Sequence, residues 1–148
     1  MNFLLMSNDE AFISKMIEEI KKNEEGALIL TAEFEEESVL KIRPSLESLS
    51  LCVIYSDPKT VKSVEESTLL ASITGYLFAN NTPVITNDRQ LAYHTLFTND
   101  VVQFLNGEDK IISYLKKQYR QINLKNNKRM AKKELMTRGI PFTADCFG

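Results

Sequence analysis

Short, mostly uncharged apolar runs alternate along the chain with longer segments whose apolar residues recur every three or four positions. The first run is residues 3–6 (FLLM). Ser7-Asn8-Asp9-Glu10 comes next, a serine with a glutamate three positions on, which predicts a helix capped by Ser7 with Glu10 closing the box. Ile13, Met16, Ile17 and Ile20 then share one helical face, and Gly26 ends the segment. Residues 27–31 (ALILT) predict a second strand. Residues 35–42 predict a helix, which Pro44 interrupts before a short turn over 45–49. Residues 51–55 (LCVIY) predict a third strand.

Asp57-Pro58, an acid followed by proline, predicts the start of a long helix that runs to Asn80. In it Ser72, Gly75 and Ala79 are small residues at helical spacing, suited to close packing on a sheet, and Tyr76 and Phe78 read as core. Asn80-Asn81 ends the helix. Residues 83–86 (PVIT) and 100–104 predict strands four and five, and Asn106 caps a last helix with Ile111, Ile112, Leu115 and Tyr119 on its inner face. Strands that alternate with helices, and are apolar throughout rather than every second residue, predict a parallel sheet covered on both faces. The expected fold is α/β: a three-layer, flavodoxin-like sandwich around a five-stranded parallel sheet. It occupies residues 1–120.

Residues 121–133 (QINLKNNKRMAKK) change character, being polar and basic, and read as a solvated linker or helix within a segment, 121–148, outside the main domain. The chain has 148 residues, 43% of them apolar and 26% charged, which suits one folded domain. A net charge of −2 gives no basic field, so neither nucleic acid nor a membrane is an expected partner. Two cysteines, Cys52 and Cys146, and one histidine, His94, assemble neither a zinc site nor a disulfide framework, and a reducing, cytoplasmic compartment is expected. No metal or cofactor is expected.

In open parallel sheets a ligand sits beyond the carboxyl ends of the strands. Those ends read Ser7-Asn8-Asp9, Ser56-Asp57 and Thr86-Asn87-Asp88-Arg89, and they are the candidate ligand-binding residues. Helix capping accounts for the same residue types. Asp88 with Arg89 beside it either holds a polar ligand or forms a surface ion pair. No glycine precedes Gly26, so the first strand-to-helix turn is not a glycine-rich phosphate loop, and no Walker-type loop occurs elsewhere.

The stretch LCVIYSDPKTVKSVEESTLLASITGYLFANNTPVI, residues 51–85, resembles the third strand and long helix of TIR-like domains, which are similar in fold to nucleoside deoxyribosyltransferases. Gly75-Tyr76 and Pro83-Val84-Ile85 stand at the matching places, and Phe104-Leu105-Asn106 with 111–115 resembles the last strand and helix. In the enzymatic members the catalytic group is a glutamate two residues before that glycine. Here the position holds Ile73, and the usual tryptophan position holds Leu69. Isoleucine supplies neither nucleophile nor base. The tail AKKELMTRGIPFTADCFG resembles the lead-in to ankyrin repeats, which implies the N-terminal part of a longer protein.

These likenesses imply a non-catalytic signalling or protein-interaction domain with protein partners, a second copy among them. A nucleotide- or NAD-binding enzyme of N-glycosidase type is the alternative, with nucleotide as its ligand. Two other families share single motifs with the chain. Asp57-Pro58 sits where a response-regulator receiver has its phosphoacceptor, but only Asn8 and Asp9 stand for its metal-holding acids, and Asn106-Gly107 replaces its Lys-Pro. Thr86-Asn87-Asp88-Arg89-Gln90-Leu91 looks like a late motif of PIN nucleases, whose two-metal hydrolysis needs more carboxylates than this chain offers there.

Overall fold

The computed structural model describes residues 1–94 and 101–120, apart from the side chains of Tyr93 and His94. The basic stretch over 121–133, the ankyrin-like tail with Cys146, and the start expected for strand five at Asp100 lie outside the described residues. The chain forms two compact units, Met1–Ile112 and Ser113–Gly148.

The first unit holds β1 (Asn2–Ser7), α1 (Glu10–Asn23), β2 (Leu28–Ala32), α2 (Glu36–Ile42), a 3-10 turn (Arg43–Ser48), β3 (Leu51–Tyr55), α3 (Val64–Ala79), β4 (Val84–Thr86), α4 (Arg89–His94) and β5 (Val102–Phe104). A further helix, α5 (108–120), begins in this unit and runs on into the second, where residues 113–120 are its described part. The five strands pair in parallel in the order β2-β1-β3-β4-β5. This is the flavodoxin-like three-layer α/β fold. The order reverses at β1, so the crevice expected of such sheets opens between the ends of β1 and β3. Among the described residues no helix is long and apolar enough to cross a membrane.

Strand alternation sorts the core. Leu4, Met6, Cys52 and Ile54 point to one face, where Phe34, Ile42, Leu46, Leu70, Ile73 and Leu77 complete a buried cluster. Phe3, Leu5, Val53 and Tyr55 point to the other, where Phe12 of α1 stacks on Tyr55 with ring centroids 4.0 Å apart. Lys15 of α1 pairs with Glu108 at the start of α5 at 3.1 Å on that same side. Burial pushes the Cys52 thiol up, as befits a small core residue.

Three sequence expectations are corrected. Asp9, not Ser7, caps α1: its carboxylate accepts from the Phe12 N–H at 3.2 Å, while the Ser7 hydroxyl accepts from the Asp9 N–H at 3.0 Å. Ser7 is still the last residue of β1, which leaves the cap to a residue outside the strand. Asp57-Pro58 begins a turn rather than α3. The Asp57 carboxylate accepts from the Lys59 N–H at 2.9 Å and its carbonyl from the Thr60 N–H at 3.1 Å. Proline's fixed φ suits the second position of such a turn as well as a first helical turn. The helix starts at the reciprocal box of Ser63 and Glu66.

The third correction concerns the faces of α3. Leu70, Ile73 and Leu77 pack inward, whereas Ser72, Gly75 and Ala79 are exposed and a Cβ on Gly75 would meet nothing. Tyr76 is 42% exposed rather than core, while Phe78 is partly buried against the cluster. The helix is uncharged from Ser67 to Ala79, so its periodicity alone does not select a face. The end at Asn80-Asn81 is as expected: Asn81 takes φ 57°, and the Asn81 and Thr82 N–H groups return to the carbonyls of Phe78 and Leu77.

Candidate functional site

The sheet presents two different surfaces at the carboxyl ends of its strands. The first lies over β3 and β4. Ser56 stands one residue past β3, and Asn87 one residue past β4. The Asn87 carboxamide accepts from the Ser56 N–H at 2.8 Å and donates to the Ser56 carbonyl at 2.6 Å, so one side chain continues the ladder where the backbones part. Asp88 accepts from the Gln90 N–H at 2.9 Å, and its own N–H donates to the Thr86 hydroxyl at 3.0 Å, which opens α4.

Of the two readings of Asp88 with Arg89, a polar ligand or a surface ion pair, the ion pair is not formed. Neighbouring residues at a helix start face different directions. Asp88 instead takes the ammonium of Lys62, which arrives from the loop before α3 and also reaches the Ser56 hydroxyl at 3.5 Å. Arg89 turns away to sit over the Phe104 ring, 5.0 Å from its centroid. Burial pulls the Lys62 ammonium below the usual lysine range, while Glu66 acts in the other sense. Lys62 has no signature in the sequence, because nothing in a turn announces which lysine will swing back over the sheet.

The second surface lies over β1 and β2. Asn8 closes the boundary between the two: its amide donates to Glu66 at 3.1 Å, and its oxygen accepts from the Phe34 N–H at 3.0 Å. Beyond Asn8 a cleft of about 490 Å³ opens between the first turns of α1, the end of β2 and α2. Ser7 lies at its floor, with Thr31, Ser14 and Ser38 around it. Glu10, Glu33 and Lys41 supply its charges. Of the sequence-derived candidates only Ser7 lines this cleft, and its other lining residues belong to no site motif. Their exposure depends on how α2 crosses over the edge of the sheet, which no local pattern encodes.

The three strand-end acids do not converge. Asp9 caps α1, Asp57 holds a turn and Asp88 pairs with Lys62. Among the described residues no group of three His, Cys, Asp or Glu side chains is placed to hold a metal ion. Ile73, two residues before Gly75, is 4% exposed and faces the core beneath α3. Tyr55, beside the start of α1, has its phenol pushed up by burial first and then by Glu108, Asp9 and Asp57, so it stays neutral well into the alkaline range.

No protein-family model matches the chain, and no curated protein matches it in sequence.

Proposed function

We propose that this chain is a non-catalytic protein-interaction domain of the signalling kind, a degenerate relative of TIR-like domains. The observation that carries the reading is the burial of Ile73. A carboxylate two residues before Gly75 would have to leave the core cluster to meet a substrate, and the residue present has no acid, base or nucleophile to offer. The polar groups over β3 and β4 support the same reading, because Asn87 is engaged by Ser56, Lys62 by Asp88 and Ser56, and Asp88 by Lys62 and the Gln90 N–H. The test is direct. The purified chain is incubated with NAD and with purine and pyrimidine nucleosides, and free nicotinamide and free base are quantified. Release no greater than that from a heat-killed control is expected, and release above it overturns the reading.

A further inference from the structure

We propose that the free edge of β2, with the cleft at its carboxyl end, docks an extended peptide segment that carries a basic side chain. Among the described residues β2 is the outermost strand on its side of the sheet. The Leu28 N–H donates to the Met1 carbonyl at 3.1 Å, so Leu28 turns its backbone groups toward β1. By the two-residue alternation of a parallel ladder Leu30 and Ala32 do the same. Ile29 and Thr31 therefore aim both N–H and C=O out of the sheet, a template for one more strand. The usual protections are missing from this edge. LILTA contains neither charge nor proline, and Leu28 is 52% exposed.

The cleft gives the edge a preference. It adjoins Thr31, and its volume of about 490 Å³ accepts a long side chain. Glu10 and Glu33 bring two carboxylates to it against the single ammonium of Lys41. The flanks of the strand are acidic as well, with Glu24 and Glu25 before it and Glu35, Glu36 and Glu37 after it. A second copy is disfavoured by this arrangement. Antiparallel self-pairing of Leu28–Ala32 would bring the Glu25 end of one copy toward the Glu33–Glu35 end of the other, like charge to like charge. Glu24 is already paired with the N-terminal ammonium of Met1, but a basic segment meets attraction at Glu25, Glu33 and Glu35.

The inference names the partner chemistry for the interaction reading above and rests on it, but the two fail separately. Cleavage of NAD would refute the non-catalytic reading and leave the binding isotherms as they stand. The measurement is fluorescence anisotropy with the full chain and a short labelled peptide of alternating threonine and valine with a central arginine. A twin peptide carries glutamate in place of the arginine. Saturable binding of the arginine peptide is expected, with the glutamate twin weaker by roughly tenfold or more.

Thr31→Pro removes an outward N–H and spares the bonds to β1, so it should weaken the arginine peptide by roughly tenfold while the far-ultraviolet spectrum is retained. If that variant does not fold, Glu33→Gln carries the test, since it should weaken the arginine peptide and relieve the repulsion on the glutamate twin, so that the ratio between the two narrows. Equal binding of the two peptides, no saturation, or indifference to both substitutions overturns the proposal. So does a dimer in sedimentation that Thr31→Pro dissolves, which would assign the edge to a second copy.

Discussion

The two halves of the sheet's carboxyl edge are built from the same residue types and put them to opposite use. Over β3 and β4, serine, asparagine, aspartate and lysine satisfy each other: Asn87 bridges both backbone groups of Ser56, and Lys62 lies against Asp88. Over β1 and β2, serine, threonine and glutamate surround open space, and the adjoining strand turns backbone groups outward, away from the sheet. The difference lies in the path the chain takes on leaving each strand. After β3 it makes a turn and brings Lys62 back over the strand ends before entering α3 at Ser63. After β2 it passes into the short α2, and among the described residues no further strand pairs with the edge of the sheet. A crevice that a parallel sheet leaves open is thus sealed on one side of Asn8 and open on the other.

The strongest way to break this picture is to try to make the sealed side catalytic. Ile73→Glu places a carboxylate where the TIR-like resemblance would expect one, but at a site 4% exposed among Leu70, Leu77 and Ile54. A charge buried there without a partner costs about 3–5 kcal/mol. Urea or thermal unfolding should show the loss, with no gain in nicotinamide release. A variant that melts like the parent would mean that α3 presents this face to solvent.

Next in size is Asn87→Ala. It leaves the Ser56 N–H and carbonyl unpaired at the ends of β3 and β4, and such groups cost about 1–3 kcal/mol when partly buried. Asp88→Ala should cost somewhat less, about 1–2 kcal/mol, because it strands the Lys62 ammonium, whose side chain is only 17% exposed. Adding Lys62→Met should recover most of that loss, and a double-mutant cycle measures the coupling. On the open side Ser38→Ala should change stability by no more than about 0.5 kcal/mol, since its hydroxyl lines the cleft and holds nothing in place. Equal losses at Asn87 and Ser38 would erase the distinction between the two halves.

Much of the fold is legible in the sequence because each strand is short, apolar and bounded by strong punctuation. Pro44, Asn80-Asn81 and the run LCVIY leave little choice. The start of α3 is harder, because Asp57-Pro58 suits a turn and a helix equally, and the decisive signal is Ser63-Val64-Glu65-Glu66 six residues on. α4 leaves no clear pattern because it is only six residues long and comes after a strand of three. The strand-end residues Ser56, Thr86, Asn87 and Asp88 are marked by position in the topology, and they do meet. Their partner Lys62 and the cleft are not marked. Both depend on contacts between segments far apart in the chain, and a sheet order of 2-1-3-4-5 is not written in any one of them.

The smallest expected effect concerns what holds α1, the wall of the cleft, against the start of α5. The Lys15 pKa is raised above 10.5 by its hydrogen bond to Glu108 and by that carboxylate's charge. A raised lysine pKa means that the folded chain holds this proton to higher pH than the unfolded chain does. The contribution is therefore complete below 10.5 and is lost as pH rises through the raised value. Tyr55 and Tyr114 have the same sign, since burial favours their neutral phenols and folding weakens as they ionise. The parent's melting temperature should thus fall with alkalinity for all three reasons. Lys15→Met removes the pair together with the smaller lowering effect of the ammonium on Tyr55, so the gap between parent and variant should narrow across that range while a tyrosine slope remains in both. Lys15 is exposed, so salt should shrink the gap as well. A gap unaffected by either pH or salt would show that the lysine stem, rather than its charge, is what α1 loses.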